Sequence, residues 1–230
     1  MTKKSDQFII EEYTHFLDAK DFPCVAARAA IAKRQMKCMV ADHLACPNDD
    51  KAILSFLYDF IDDYRSSGNL FHSASIIFKG PDDINEDLFD TLLWRRLQSL
   101  ADLDSLKHKR DNRVNHDPSS PEYSFSIKEE AFFIIGMHPA NSRQARKFSY
   151  PVLAFNPHAQ FEHLRQTDSY GKMQHIVRKR DIAFSGSVNP MLKDFGKSSE
   201  VYQYSGRMYD DNWQCPLKFS YEFIEDNSTS

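Results

Sequence analysis

Cys24 directly follows Pro23 at the expected start of a helix. There the unpaired backbone N–H groups and the helix dipole stabilise a thiolate. Such a thiolate can serve as a nucleophile or as an iron ligand, while a cysteine in an Ala-rich stretch can also be a small packing residue. The stretch GMHPANSRQAR (136–146) carries more chemistry. An apolar run ends at Gly136, His138 and Pro139 turn the chain, and Asn141 or Ser142 can cap a short helix bearing Arg143 and Arg146. Guanidinium groups at a helix start suit a carboxylate, and the same two residues also suit surface ion pairs. The pattern recurs in FNPHAQFEHLR (155–165), where Pro157 turns the chain and His158, Glu162 and Arg165 follow. His158 and Glu162, four apart, share one helical face and can present a metal ligand beside a carboxylate or form an ordinary solvated pair. Near the end, NPMLKDFGKSSEVYQYSGR (189–207) and WQC (213–215) mix small residues with aromatics and with Asp194, Glu200 and Arg207. A segment of that kind can cover a planar ligand or simply cap a core.

These groups need elements to place them. Residues 24–45 are rich in Ala, Lys, Arg, Met and Gln with no internal Gly or Pro, which predicts one long helix. A second helix is predicted over 52–66, ended by Gly68. LFHSASIIF (70–78) is β-branched and aromatic and reads as a strand, and the amphipathic run at 86–104 reads as a helix. Residues 107–124 are polar with two prolines and read as an exposed loop. AFFIIG (131–136) and YPVLAFN (150–156) read as strands, and 158–184 as a long helix with one Gly at 171. Strands alternating with helices predict an α/β or α+β fold: a single layered domain over 1–230, its central sheet flanked by long helices. Two His-bearing strand ends in one sheet would then converge on a single pocket.

Composition narrows the function classes. Among 230 residues, 41% are hydrophobic, with 18 Phe and 10 Tyr to bury, as in an ordinary globular protein. A formal charge of -4 and a pI near 6.1 argue against a nucleic-acid partner, and Arg178, Lys179 and Arg180 form only a short basic run. No stretch approaches the ~18 consecutive apolar residues of a membrane span, and the first residues lack a signal-peptide core, so a cytoplasmic location is expected. The four cysteines, at 24, 38, 46 and 215, include no CxxC pair and are expected as reduced thiols.

Three blocks, DFPCVAARAA, GMHPANSRQAR with FNPHAQFEHLR, and NPMLKDFGKSSEVYQYSGR followed by WQCP, together resemble the signature blocks of the YqcI/YcgG family. The resemblance spans nearly the whole chain. It implies a haem-dependent monooxygenase that hydroxylates a guanidine or amine nitrogen of an arginine-like amino acid with dioxygen or peroxide. It further implies a redox partner where peroxide is not used, and admits a homodimer. Carried onto this sequence, Cys24, His138 and His158 are the candidates for the axial iron ligand. Arg143, Arg146 and Arg165 suit haem propionates or a substrate carboxylate, and Asp194 or Glu200 suits a guanidinium. A thiolate ligand favours O–O cleavage and a His ligand is typical of peroxidase-like chemistry. With no CxxCH motif the group would be non-covalent haem b, and with no flavin or nicotinamide GxGxxG motif the electrons are expected from a partner or from peroxide. Two other readings stand beside this one: a haem- or small-ligand-binding sensor without turnover, and a non-haem metal hydrolase using His138, His158 and Glu162.

Overall fold

The computed structural model describes residues 4–167, 169–187 and 196–219. Helix α1 (Asp6–Asp18) starts where the Ser5 hydroxyl accepts the Phe8 N–H, and it buries Ile9, Tyr13 and Leu17 at four-residue spacing. Helix α2 (Val25–Ala32) follows. It ends there because Arg34 takes a left-handed backbone, φ 57°, that turns the chain into strand β1 (Met36–His43). The long helix expected over 24–45 is therefore a short helix and a strand. Propensity loses to pairing: β1 lies parallel to β2 (Ser73–Gly80), Met39 against Ile76 and Ala41 against Phe78.

Helix α3 (Asp50–Ser67) ends on Gly68, whose φ of 63° suits the turn, and α4 (Glu86–Ser105) is capped by Asn85, which accepts the Leu88 N–H. Both match expectation closely. A short strand, β3 (Phe125–Ile127), precedes β4 (Glu130–Met137) and β5 (Val152–Pro157). Helices α5 (His158–Gln166) and α6 (Ser169–Ser185) replace the single helix expected over 158–184, and a four-residue helix α7 (Val201–Tyr204) follows. The residues between β4 and β5 form only a 3-10 turn, Gln144–Arg146, rather than a capped α-helix.

The five strands lie in the order β1-β2-β5-β4-β3, with β1 and β2 parallel and the other pairs antiparallel. This is an α+β sheet covered on both faces. One face carries Ala74, Ile76 and Phe78 of β2 and Phe132 and Ile134 of β4, packed by α3, α4 and α7. The alternate residues, Ile77, Ile135 and Met137, face α1 and α2. Burying each such side chain contributes about 1.5–3 kcal/mol, so a sheet covered twice has ample driving force. Gly136 marks the tightest approach: a Cβ there would lie 2.7 Å from the Phe89 ring and 2.8 Å from the Tyr204 carbonyl.

Candidate functional site

On the α1–α2 face, the sheet does not close fully against the helices. A cavity of about 270 Å³ opens between β4, β5, α2, α5 and α6. That is near the low end of the ~300–1,000 Å³ typical of small-molecule sites. Its walls are largely apolar, with Leu17, Phe22, Ala27, Ile135, Met137 and Phe161 among them. Into it come Cys24, Arg143, Arg146, His158, Arg165 and Glu200. Six of the eight residues that the family resemblance assigns to the site thus share one space.

Cys24 is the N-cap of α2, its sulfur accepting the Ala27 N–H at 3.4 Å. Burial pushes the thiol pKa up, and the N–H groups of Ala27 and Ala26 oppose that shift in part. His158 begins α5 at the end of β5. Its Nδ1 lies 3.3 Å from the Ser124 hydroxyl and 3.8 Å from Glu200, and its Nε2 lies 3.1 Å from Glu162. Glu200 is buried, and its carboxylate accepts from the Ser124 hydroxyl at 2.7 Å and from the Tyr204 phenol. Arg165 pairs with Glu162 and lies over the Tyr170 ring. Arg143 donates to Asp181 at 2.6 Å and to the Ser187 carbonyl at 2.7 Å.

Arg146 is the deepest cation. Its Nη1 donates to the carbonyls of Gln203 (2.7 Å), Tyr204 (3.2 Å) and Gly136 (3.4 Å), bracing α7 against β4. Among the described residues no carboxylate lies within 4.0 Å of it. Burial, with the charge of Arg143 behind it, pushes its pKa down to about 10, so it remains a cation at neutral pH. A buried guanidinium with no carboxylate in contact, only the more distant charge of Asp181, favours an anionic ligand. Beside it, the side-chain oxygen of Gln203 is buried without a hydrogen-bond partner. Neither Gln203 nor the cavity-lining His72 carries any signature in the sequence that singles it out, since one sits in a YQY run and the other in the apolar run LFHSASIIF, just before β2.

His138 lies elsewhere. β4 and β5 are antiparallel, with Met137 opposite Val152 and Phe132 opposite Pro157, so the residues after each strand sit at opposite ends of the pair. The two His-bearing turns do not converge. His138 is fully buried on the α4 side of the sheet, stacked on Phe89 with ring centroids 4.4 Å apart, and its Nε2 lies 3.1 Å from the Asn141 amide. His138 and His158 therefore cannot belong to one ligand set. Among the described residues no three His, Cys, Asp or Glu side chains gather as a metal-binding cluster. Asp194 lies outside the described residues.

Burial pushes the His138 pKa down to about 4, from an ordinary value near 6.5. On acidification the unfolded chain takes up the proton first, so stability is full above about pH 6.5 and is lost progressively between there and about pH 4. The loss is on the order of 3 kcal/mol. In urea titrations at pH 7 and pH 4, a His138→Leu variant is expected to lose correspondingly less stability on acidification than the natural chain. An identical acid slope in both would show that His138 is not the group responsible.

Among the described residues no helix is long and apolar enough to cross a membrane. Compared with known proteins, the chain is similar to two from Bacillus subtilis (strain 168). It is 29% identical to the uncharacterized protein YqcI over 206 residues, covering 85% of this chain and 80% of that one. It is 27% identical to the uncharacterized protein YcgG over 214 residues, covering 88% of this chain and 83% of that one. No solved structure matches it. The sequence profile of the YqcI/YcgG family matches residues 13–218, and the chain belongs to that family.

Proposed function

We propose that this chain is a haem-dependent monooxygenase that hydroxylates a guanidine or amine nitrogen of an arginine-like small molecule. The observation that supports this reading is the donor set of the cavity. A thiol and an imidazole, Cys24 and His158, border an apolar space that also holds a guanidinium with no carboxylate in contact, Arg146, and a buried carboxylate, Glu200. Those residue types fit haem: the thiol or the imidazole would hold its iron, and Arg143, Arg146 and Arg165 would be available to carboxylates. When bound, haem would supply the activation of dioxygen or peroxide. The chain's own contribution is recognition and shielding. Apolar walls exclude water, Arg146 holds an anionic group, and Glu200, already fixed by Ser124 and Tyr204, offers its remaining lone pairs to a cationic nitrogen. The partners of such an enzyme are the amino-acid-like substrate, dioxygen or peroxide, and a redox partner where dioxygen is used.

The modest cavity volume favours a second reading, a small-ligand-binding protein without turnover. One experiment addresses both. The protein is purified from cells supplied with haem precursor, its absorption spectrum is recorded, and it is then incubated with arginine-like amines and peroxide. The enzyme reading expects a Soret band and a product heavier by one oxygen. A Soret band without product supports a haem-binding module, and no band with no uptake on titration sinks both haem readings.

A further inference from the structure

Behind the cavity wall lies a contiguous set of oxidisable rings that leads outward. The Tyr204 ring packs edge-on against Phe133, a lining residue of the cavity, at 6.1 Å between centroids. The same ring stacks on Trp94 at 5.8 Å, and Trp94 lies 5.7 Å from Trp213. Trp213 stacks on Tyr209 at 3.8 Å and meets Tyr202 at 5.1 Å. Tyr204 and Trp94 are buried, while Tyr202, Tyr209 and Trp213 are half-exposed. The run therefore reaches from one ring behind the cavity to solvent.

Packing explains why aromatic rings gather here, but not why three of their polar hydrogens end on carboxylates. The Tyr204 phenol donates to Glu200, the Trp94 indole donates to Asp90 at 2.9 Å, and the Tyr209 phenol donates to the same Asp90 oxygen. Burial and those carboxylates hold both phenols well above their ordinary pKa, so they are protonated at rest. Oxidising a phenol or indole by one electron makes its proton strongly acidic. A ring already hydrogen-bonded to a carboxylate can release the proton in the same step, which eases the oxidation.

We propose that Tyr204, Trp94, Trp213 and Tyr209 form a hole-transfer path that carries oxidising equivalents from the cavity to the protein surface. The proposal rests on the oxidative reading of the cavity. With no substrate bound, an oxidant formed there from peroxide takes one electron from Tyr204, whose proton passes to Glu200. Trp94 then reduces the Tyr204 radical, Glu200 returns the proton, and Asp90 takes the indole proton of Trp94. Trp213 or Tyr209 supplies the next electron, and a small reductant in solution of the ascorbate or thiol class refills the outermost ring. The path protects the cavity residues from oxidation when turnover is uncoupled.

Two measurements separate this proposal from the reading beneath it. In the full chain, azide radicals generated by pulse radiolysis oxidise the half-exposed indole, and Trp and Tyr radicals are followed by absorption. The expected result is a phase independent of protein concentration in which the Trp radical gives way to a Tyr radical. That phase is expected to be lost in a Tyr204→Phe, Tyr209→Phe double variant with an unchanged melting transition. Should the double variant fold poorly, Tyr209→Phe alone is expected to slow the phase. A Trp radical that decays only bimolecularly, or a phase indifferent to these substitutions, overturns the proposal with or without haem. In the haem-loaded protein, peroxide without substrate is expected to give a Trp or half-exposed Tyr radical by electron paramagnetic resonance, which Trp94→Phe replaces with a Tyr radical trapped at Tyr204. The same radical in the variant overturns the outward route. Absence of a Soret band instead sinks the functional reading and leaves the radiolysis result to decide whether the rings exchange holes.

Discussion

Replacing Asp50 by alanine is expected to destabilise the protein by about 3–5 kcal/mol, the cost of stripping a buried ion of its partner. Asp50 opens α3 and is almost fully buried, as is Arg96 of α4, which donates to it. Ser99 donates to the same carboxylate. Arg96 spends its other N–H groups on the carbonyls of His43 (3.0 Å), Leu44 (2.8 Å) and Cys46. One guanidinium thus fixes the end of β1, the start of α3 and the middle of α4. With the carboxylate gone, three neutral carbonyls and the more distant charge of Asp49 remain to balance a cation that burial already disfavours. Against a typical total of ~5–15 kcal/mol, that loss is large. Urea unfolding measures it. The exposed Lys4–Glu12 pair is the control, where a Glu12→Ala change is expected to leave the midpoint almost unchanged. A double change, Asp50→Leu with Arg96→Met, is expected to recover much of the loss, because it removes both ions together. An Asp50→Ala midpoint as mild as that of the control would refute this account of the clamp.

The sequence carries the helices with clear ends plainly. Gly68 and Asn85 announce the end of α3 and the start of α4, and both boundaries fall where turn chemistry puts them. The error over 24–45 has a definite source. MKCMVADH alternates weakly and is built from helix-favouring residues, so only its parallel pairing with β2 makes it a strand. That pairing lies 37 residues away in sequence, from Met36 to Ser73, and leaves no local trace. The candidate site was legible in its residues and not in its geometry. Cys24, Arg146, His158 and Glu200 meet in one cavity, as their chemistry anticipates. His138 does not, because strand direction decides which end of the sheet a turn occupies. A parallel return needs a crossover of a dozen or more residues, usually through a helix. The helix expected after Asn141 would have allowed one, but that stretch forms a single 3-10 turn and the chain returns antiparallel.

Removing the Cys24 thiol is expected to abolish the native haem spectrum, whereas His158→Ala and His138→Ala are expected to keep a Soret band. This prediction rests on the proposed haem site and ranks three candidates by what already occupies their donor atoms. His138 stands on the other face of the sheet, stacked on Phe89. Both nitrogens of His158 are engaged, one by Ser124 and Glu200 and the other by Glu162, so ligation would require it to exchange these contacts. The Cys24 sulfur lines the cavity and accepts an N–H from the first turn of α2, at the helix end where negative charge is favoured. Burial raises its pKa in the free protein, but coordination to iron deprotonates a thiol outright. The charge penalty that now disfavours the thiolate would then be met by the metal. Cys24→Ala and Cys24→Ser separate two effects. Both remove the thiolate, and only serine keeps a capping acceptor for the Ala27 N–H. Equal loss of the native spectrum in both assigns the effect to ligation, while loss in alanine alone assigns it to the cap of α2. Loss in His158→Ala, with Cys24→Ala unchanged, would transfer the role to His158 and make its contact with Glu200 the orienting hydrogen bond of a ligand histidine.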